Sequence, residues 1–535
     1  MKNGICCAIA AALIATAALS TARADDGTSA PDGIAPTTMT LTRLLALHRA
    51  ATGKLAPGTA HTRAETRTYV DGVLTGSQTE YAVNGDSRQD TILGVFHSAS
   101  GKHGTTAWEQ NRNGLVRTMT GLHSRDDVNT AALENASNSS PYVKLLGVVK
   151  DPGAAYVVKV DPPRGRIEYL YYDAATYLVS RDDNASEGKR VSFTYDDYRL
   201  TQGVRRPWHI HQTNGIKGDD TDWKVQSLEW GGRVDPAKVA IPPNVPTVAF
   251  SGARAALPVT FSGDRIILTM RIGAHKVSLQ MDSGASGILL NRAVADATGV
   301  KSYGSWTRET AGEYLTAEAL IPEVDFGGVT MQNVAAETAP YADETYDGAP
   351  VAGLMGYDFI AGAVMHVDYY NSTVEAIAPG SFTPPAAAMK IPLRLDDGVP
   401  VIDARIGSAA AHHFIVDTGA DRSMIFSGFA QAHTADVADQ GLGESMTASY
   451  PFISQIYGVG GKVQVRPVQV PSLSIGSITF PKWLFDVSKD APSFEGDDYD
   501  GLIGQDVLRN FDVYFDYANA VMYLVPNERY RQRWG

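Results

Sequence analysis

The sequence predicts a mainly β protein, in which a curved antiparallel β domain with one short helix precedes two related β lobes. Three observations support this fold class. Turn signals separate runs of β-branched and aromatic residues over residues 62–239. Residues 39–51 have the apolar spacing of an amphipathic helix. Residues 257–378 and 391–525 carry the same landmarks in the same order, which indicates two copies of one unit.

The N-terminal domain is predicted over residues 39–245. Its helix has four leucines on one side and a glycine as its stop, at Leu41, Leu44, Leu45, Leu47 and Gly53. Asn84-Gly85 and Asn113-Gly114 predict hairpin turns, so the strands are expected to form a meander. The proline-rich residues 241–246 predict a stiff linker after it.

The first residues predict export of the chain. Lys2, an apolar run at residues 5–18 and Ala22-Arg23-Ala24 form the pattern of a signal peptide, cleaved after residue 24. The alternative is an uncleaved anchor, but the run is shorter than the about 20 residues that a membrane helix needs. We therefore expect a periplasmic or secreted protein without stable membrane insertion, whose mature chain begins with a flexible lead at residues 25–38.

Composition excludes several classes of function. Cys6 and Cys7, the only cysteines, lie in the predicted signal peptide, so the mature chain has no thiol nucleophile and no thiolate metal site. The formal net charge of −13 becomes −15 without Lys2 and Arg23, and no basic patch suggests a nucleic-acid partner. No G-x-S-x-G or H-E-x-x-H motif supports serine or zinc hydrolysis.

The internal repeat predicts two lobes, at residues 256–380 and 388–528. Four landmarks recur: Arg271-Ile272-Gly273 and Arg405-Ile406-Gly407; Asp282-Ser283-Gly284-Ala285 and Asp417-Thr418-Gly419-Ala420; Pro322 with Gly327 and Pro471 with Gly476; Gly353-Leu354-Met355-Gly356 and Gly501-Leu502-Ile503-Gly504. Asp368-Tyr369 and Asp516-Tyr517 follow at equal offsets, and their aspartates are predicted turn residues.

The second landmark carries the chemistry. An apolar strand leads to Asp282 and another leads to Asp417, so each lobe delivers one carboxylate into a tight turn. Gly284 and Gly419 permit backbone close to a carboxylate. Ser283 and Thr418 supply hydroxyls that can hydrogen-bond across a lobe interface. One Asp-x-Gly turn is usually only a turn, but two copies with shared landmarks are not expected by chance.

These motifs resemble the aspartic protease superfamily, and more the retroviral-type and bacterial members than the pepsins. Asp417-Thr418-Gly419-Ala420-Asp421 is very close to the retroviral-type motif, and Asp282-Ser283-Gly284-Ala285-Ser286-Gly287 is its serine variant. The glycine-bracketed apolar pairs match the family element that threads the catalytic loop. The resemblance covers residues 256–528. It implies that Asp282 and Asp417 face each other as a catalytic pair.

The resemblance also implies an exported endopeptidase that acts on polypeptides. Two close carboxyls share a proton and activate a water between them, so the mechanism needs neither metal nor cofactor. Both halves lie in one chain, so a monomer should suffice for activity. The pH profile should be bell-shaped, with Asp421 raising its upper limb and Arg422 opposing this. Gly458, Gly460 and Gly461 are candidate flap residues, in a second lobe predicted to carry the larger flap.

Two features leave alternatives open. The N-terminal half weakly resembles the LolA-like lipoprotein-carrier half-barrels, which implies an apolar concave face for lipid or polypeptide; a folded spacer or pro-domain is the alternative. The rival function is therefore an inactive envelope binding protein with a ligand-carrying N-terminal domain. His209 and His211 could share a strand face and bind metal, but no third ligand is apparent and a solvated face is the simpler interpretation.

Overall fold

The computed structural model describes most of the chain. The described residues are 29–55, 59–69, 74–119, 125–150, 153–163, 165–186, 189–216, 218–245, 247–309, 313–341, 344–346, 349–396, 398–437, 455–458, 461–488 and 499–534. The predicted signal peptide and the first four residues of the predicted lead lie outside them. The described chain divides into two compact units, one with residues 29–112 and 116–243 and one with residues 113–115 and 244–534.

The first unit contains one antiparallel sheet, for which thirteen strands are described. Strands β1–β6 are His61–Tyr69, Thr75–Val83, Asp86–Leu93, Phe96–His103, Thr106–Gln110 and Val116–Thr118; β7–β13 are Val143–Val149, Ala155–Val160, Glu168–Asp173, Val179–Ser186, Lys189–Thr201, Val204–Thr213 and Thr221–Trp230. Two meanders, β1–β6 and β7–β13, join where β1 pairs with β13. Asn84 and Gly85 both have positive φ in the β2–β3 turn, as that turn requires.

Two described helices belong to this unit, α1 (Leu41–Thr52) and α2 (Arg125–Glu134). The predicted first helix is confirmed, with its start capped by Thr40 and its end at Gly53, whose φ is 75°. The second helix was missed. Leucines of α1 form a core with apolar side chains of the strands; its buried members are Leu41, Leu44, Leu45, Val143, Val158, Val160, Leu170, Tyr172, Val179, Tyr195, Ile210 and Trp223.

The same sheet face is mostly polar on strands β1–β6, with Leu93 and Phe96 as buried apolar exceptions. Directly opposed residues of an antiparallel pair share a face, and from Trp223 this face continues through Arg67, Glu65 and Gln78. Ion pairs lie along it, including Arg117 with Glu109. Helix α1 thus packs against an apolar part of this face, and most of the face on β1–β6 is polar. The predicted apolar binding face stays a prediction.

The second unit contains two lobes with matching sheets. Lobe 1 contains β14–β27: Val248–Phe250, Arg254–Ala256, Val259–Ser262, Arg265–Ile272, His275–Met281, Ile288–Asn291, Lys301–Glu309, Glu313–Asp325, Val329–Ala339, Glu344–Tyr346, Ala349–Val351, Gly353–Met355, Val364–Asp368 and Thr373–Ile377. Lobe 2 contains β28–β40: Met389–Pro392, Arg394–Asp396, Val399–Ile406, Ala409–Val416, Met424–Ile425, Gln455–Gly458, Gly461–Gln469, Ser472–Ile475, Ile478–Pro481, Leu484–Ser488, Gly501–Ile503, Phe511–Asp516 and Val521–Pro526.

Short helices complete the lobes: α3 (Arg292–Thr298) and α4 (Tyr357–Ile360) in lobe 1, and α5 (Ser427–Ala432), α6 (Gln505–Leu508) and α7 (Glu528–Trp534) in lobe 2. A sheet shared by both lobes has the order β15-β27-β26-β39-β40-β28 among the described strands, and β26 pairs with β39 across the lobe boundary. One continuous apolar core runs through both lobes. The mainly β fold is therefore confirmed.

Each lobe threads its glycine-bracketed pair between two other strands. In lobe 1, β25 runs parallel to β18 and antiparallel to β19; in lobe 2, β38 runs parallel to β31 and antiparallel to β32. A Cβ on Gly353 would lie 2.0 Å from the Leu289 oxygen, and one on Gly501 would lie 2.3 Å from the Met424 oxygen. Glycine is therefore required at both crossings, as the repeat predicted.

Candidate active site

The two predicted aspartates occupy equivalent turns. Strand β18 ends at Met281 and strand β31 ends at Val416, one residue before each aspartate. The Asp282 N–H donates to the Met355 carbonyl at 3.0 Å, and the Asp417 N–H donates to the Ile503 carbonyl at 2.9 Å. Each threaded strand therefore holds the start of an aspartate turn in the same way.

Each turn glycine lies against the carboxyl group of the other lobe. A Cβ built on Gly284 would be 2.8 Å from the Asp417 Cγ, and one on Gly419 would be 2.6 Å from the Asp282 Cγ. Any side chain at either glycine would collide with the opposite carboxyl group. This reciprocal contact brings Asp282 and Asp417 within hydrogen-bonding reach of each other across the lobe boundary.

The hydroxyls of Ser283 and Thr418 cross between the lobes, and both residues are fully buried. Ser283 Oγ accepts from the Thr418 N–H at 2.9 Å and donates to the Val416 carbonyl at 2.6 Å. Thr418 Oγ1 accepts from the Ser283 N–H at 2.9 Å and donates to the Met281 carbonyl at 3.0 Å. Four hydrogen bonds with approximate two-fold symmetry thus hold the turns together.

Backbone and amide donors fix the two carboxyl groups and turns further. The Gly284 N–H donates to Asp282 Oδ1 at 2.9 Å, and the Gly419 N–H donates to Asp417 Oδ1 at 2.7 Å. Gln280 donates to the Gly419 carbonyl at 3.0 Å, which adds a further bond between the lobes. The amide of Gln505 donates to the Thr418 carbonyl at 2.5 Å. Sequence reasoning missed both glutamines.

Burial dominates the electrostatics of the pair. It raises the pKa of Asp282 well above its usual value, and the charge of Asp417 acts in the same direction. Burial also raises the pKa of Asp417, although hydrogen bonds from Asp282 and the turn N–H groups oppose the rise. Two such carboxyls bind one shared proton at a pH where an isolated aspartate would be ionised.

The charged residues after the lobe 2 motif each contact an oppositely charged side chain. Asp421 forms a two-bond ion pair with Arg265 of lobe 1, at 2.5 and 2.6 Å. Arg422 lies 3.7 Å from Asp486 instead. Asp421 does raise the pKa of Asp417, as predicted. The cation that lies against Asp421 is therefore Arg265, not Arg422.

Comparison with known families agrees with this geometry. Residues 268–359 and 402–507 each match the model of the aspartyl protease family. The two matched segments contain both aspartate turns and both threaded strands. The predicted resemblance is therefore confirmed. No curated protein matches the chain significantly in sequence.

Solved structures of aspartic proteases and of a LolA superfamily protein are similar to parts of the chain. An aspartic proteinase from Irpex lacteus is 15% identical, with 52% of this chain and 98% of that one covered and a TM-score of 0.34. A retropepsin-like aspartic protease from Rickettsia conorii is 21% identical, covering 26% and 89%, with a TM-score of 0.19. A LolA superfamily protein from Nitrosomonas europaea is 13% identical, covering 38% and 97%, with a TM-score of 0.27. No functional conclusion rests on these structures.

Two tyrosines of the lobes also lie near the aspartate pair, and sequence reasoning missed them. Tyr369 and Tyr517 follow the repeated Asp368 and Asp516 and are buried at equivalent positions. Burial raises the pKa of both hydroxyls, and the charge of Asp417 contributes to each shift. Asp368 and Asp516 themselves accept bonds within their turns, as predicted. The signal was present in the repeat, because each tyrosine immediately follows a landmark aspartate.

Two of the candidate flap residues, Gly458 and Gly461, lie on a hairpin of lobe 2. Gly458 ends β33 and pairs with Gly461, which begins β34. Gly460, together with residues 438–454, lies outside the described residues. The corresponding hairpin of lobe 1 has long strands, β20 and β21. The flap role and the larger size of the second flap stay predictions.

The histidine pair of the first unit lies on one strand face with carboxylates. His209 contacts Asp196 at 2.9 Å and Asp222 at 2.8 Å, and His211 contacts Asp222 at 3.2 Å. The carboxylates raise the pKa of His209 against the opposing effect of desolvation. Among the described residues, no group of three or more side chains is arranged to hold a metal ion. In the same part of the chain, no helix has the length and apolar character needed to span a membrane.

Proposed function

We propose that the chain is an exported aspartic endopeptidase in which Asp282 and Asp417 act together on one water molecule. The observation that carries this proposal is the reciprocal contact of each turn glycine with the opposite carboxyl group. The cross-lobe bonds of Ser283 and Thr418 support it, because they fix that contact from both sides. The buried, proton-sharing character of the pair supplies the acid and the base that peptide hydrolysis needs.

In the proposed reaction, the pair begins with one proton. The ionised carboxylate removes a proton from the water, whose oxygen attacks the peptide carbonyl carbon, while the protonated carboxyl gives its proton to the carbonyl oxygen. The resulting tetrahedral diol collapses when a carboxyl proton passes to the amide nitrogen and the C–N bond breaks. One hydroxyl of the diol returns its proton to the carboxylates in this step, so the products are a carboxylic acid and an amine and the pair again holds a single proton. Each lobe supplies one group, so a monomer suffices.

The proposal includes export of the chain. Residues 1–24 are proposed as a signal peptide, and N-terminal sequencing of the protein recovered from the periplasm or medium should begin at Asp25.

The proposal also includes a flap. The hairpin that contains Gly458, Gly460 and Gly461 is proposed to close over substrate. Deletion of residues 459–461 should lower catalytic efficiency much more than the melting temperature. A lower melting temperature with unchanged efficiency would show a plain loop.

Digestion of casein and of a mixed peptide library over a range of acidic to alkaline pH tests the function. Cleavage should occur within chains, and neither a chelator nor a serine-directed reagent should reduce it. A rate that still rises into the alkaline range would contradict catalysis by two carboxyls. Absence of cleavage throughout the range would favour the rival function, an inactive binding protein.

A further inference from the structure

The first unit contains a compact group of aromatic and cationic side chains that the proposed catalysis does not use. It lies where the ends of β1, β11, β12 and β13 meet, on the sheet face that α1 covers. We call it the Arg206 cluster; its members are His61, Arg63, Arg199, Arg206, Trp208, Val225, Leu228 and Trp230. Leu55, after the end of α1, packs against its apolar part.

Cations and indole rings alternate in the Arg206 cluster. The Arg206 guanidinium lies 5.7 Å from the ring of Trp230, and that of Arg199 lies 4.4 Å from the ring of Trp208. The His61 ring lies 4.8 Å from that of Trp230. Arg206 and Trp208 are half-buried and Trp230 is buried. The cluster thus combines an apolar surface with positive charge.

The carboxylates near the cluster contact side chains other than that of Arg206. Arg63 pairs with Glu65 at 2.9 Å, His61 with Glu80 at 2.9 Å, and Arg199 with Asp197 at 2.5 Å. Arg206 has no carboxylate partner within the described part of the chain; its one hydrogen bond there goes to the Arg205 carbonyl at 3.0 Å. Burial lowers the pKa of Arg206, and the charge of Arg63 acts in the same direction. The Arg206 guanidinium, always charged in proteins, therefore has no carboxylate in contact with it among the described residues.

Two neighbouring donors also need an acceptor. The indole N–H groups of Trp208 and Trp230 are buried and have no hydrogen-bond partner among the described residues. Buried donors without acceptors are rare in folded proteins, and each one costs free energy. A planar carboxylate has two oxygens that can accept hydrogen bonds from the Arg206 guanidinium, and its remaining lone pairs can accept from the two indole N–H groups. The leucine and indole surfaces around it suit an apolar group attached to that carboxylate.

We propose that the Arg206 cluster binds a carboxylate that is attached to an apolar group, with the guanidinium of Arg206 as its main partner. Two sources offer this chemistry: a fatty acid, and the free C-terminus of an apolar peptide. The proposal does not depend on catalysis by the aspartate pair.

Calorimetric titration of the full chain tests it directly. The chain carries Asp417→Asn, so that hydrolysis cannot consume a peptide. Laurate is compared with lauryl alcohol, and N-acetyl-leucyl-leucine with its C-terminal amide. We expect at least one acid to bind about tenfold or more tightly than its neutral counterpart, because a charge-assisted hydrogen bond contributes at least that much. Binding of laurate alone identifies the fatty-acid source, and binding of the dipeptide alone identifies the peptide source.

Variants locate the binding at the cluster. Arg206→Gln should lose about tenfold or more in affinity for the bound acid, and Arg206→Lys should lose part of it. Arg205→Gln is the matched control, because it removes the same charge from the adjacent residue of the same strand, whose side chain points to the other face. Circular dichroism checks that each variant folds. If Arg206→Gln does not fold, the comparison of each acid with its neutral counterpart on the chain without a substitution at Arg206 still tests the site.

Four results would overturn the proposal. They are equal binding of acid and neutral compounds, binding of inorganic phosphate without either acid, no binding of any probe, and unchanged affinity in Arg206→Gln.

Discussion

The two aspartate turns share their hydrogen bonds but differ in the residues that follow. Ser283 and Thr418 make equivalent bonds across the lobes. Lobe 1 then continues with Ala285-Ser286-Gly287, whereas lobe 2 continues with Ala420-Asp421-Arg422-Ser423. The motif therefore determines where the carboxyls lie, and the next few residues determine their charged surroundings. The hydrogen bonds of the two turns are therefore symmetric, whereas the charged residues next to them are not.

Removal of either crossing hydroxyl should have the largest effect on stability. Ser283→Ala leaves the Thr418 N–H and the Val416 carbonyl without partners, and Thr418→Val does the same to the Ser283 N–H and the Met281 carbonyl. Each change should cost about 2–4 kcal/mol, because a buried group left without a hydrogen bond costs about 1–3 kcal/mol. Calorimetric unfolding measures the loss.

Ser283→Thr and Thr418→Ser are the controls for these variants, because both keep the hydroxyl. Similar losses for Ser283→Ala and Thr418→Val would confirm the symmetry of the crossing. A large loss at one position and none at the other would break it.

Asp506 is a further difference between the two aspartate turns, because it binds Ser423 in the turn of lobe 2. Its carboxylate accepts from the Ser423 N–H at 2.9 Å and from Ser423 Oγ at 2.7 Å. Burial nevertheless raises its pKa to about 6. The folded protein therefore favours the neutral carboxyl, and this stabilisation is complete below the unfolded pKa of about 3.9. It declines as the pH rises and is gone above the folded pKa.

Asp506→Asn should remove this pH dependence. Relative to the unsubstituted protein, the variant should gain stability between about pH 4 and about pH 7, by at most roughly 3 kcal/mol at 1.36 kcal/mol per pKa unit. Thermal unfolding of both proteins at the two pH values provides the comparison. The aspartate pair titrates in both proteins, so its contribution to the pH dependence cancels in the comparison. A constant difference between the proteins would show that Asp506 does not titrate in this range.

The ion pair of Asp421 with Arg265 should have the smallest effect. Asp421→Asn removes a negative charge that raises the pKa of Asp417, so the upper limb of the pH–rate profile should move to lower pH. Arg265→Gln leaves Asp421 unneutralised and should move that limb to higher pH. Each shift should be roughly a few tenths of a pH unit, because Asp421 is exposed and salt screens it. Arg405→Gln, at a distant landmark, should leave the limb in place; shifts of equal sign would contradict the electrostatic explanation.

The sequence predicted the aspartate turns and the threaded strands because both depend on short segments. Gly353 and Gly501 mark crossings that only glycine permits, and the repeat showed each crossing twice. It did not predict the second helix, since Val128 and Leu133 are its only large apolar residues and give no clear period. Only the first helix was long enough and had the regular apolar spacing needed to predict it from the sequence.

Long-range features were also out of reach of the sequence. The pairing of β1 with β13 joins residues far apart along the chain, and local patterns do not specify such partners. The Arg265–Asp421 pair likewise crosses the lobes, and nothing in the local sequence of either residue indicates it. For the same reason, the polar face of β1–β6 appeared only when the register of the strands was known.

The central claim is that Asp282 and Asp417 form one catalytic unit. The most direct test is peptide cleavage by purified Asp282→Asn and Asp417→Asn, with circular dichroism to show that both variants fold. Both should lose at least roughly 10²–10⁴-fold in rate, because each change removes the shared proton or the base. More than about a tenth of the unsubstituted rate in either folded variant would contradict a catalytic pair.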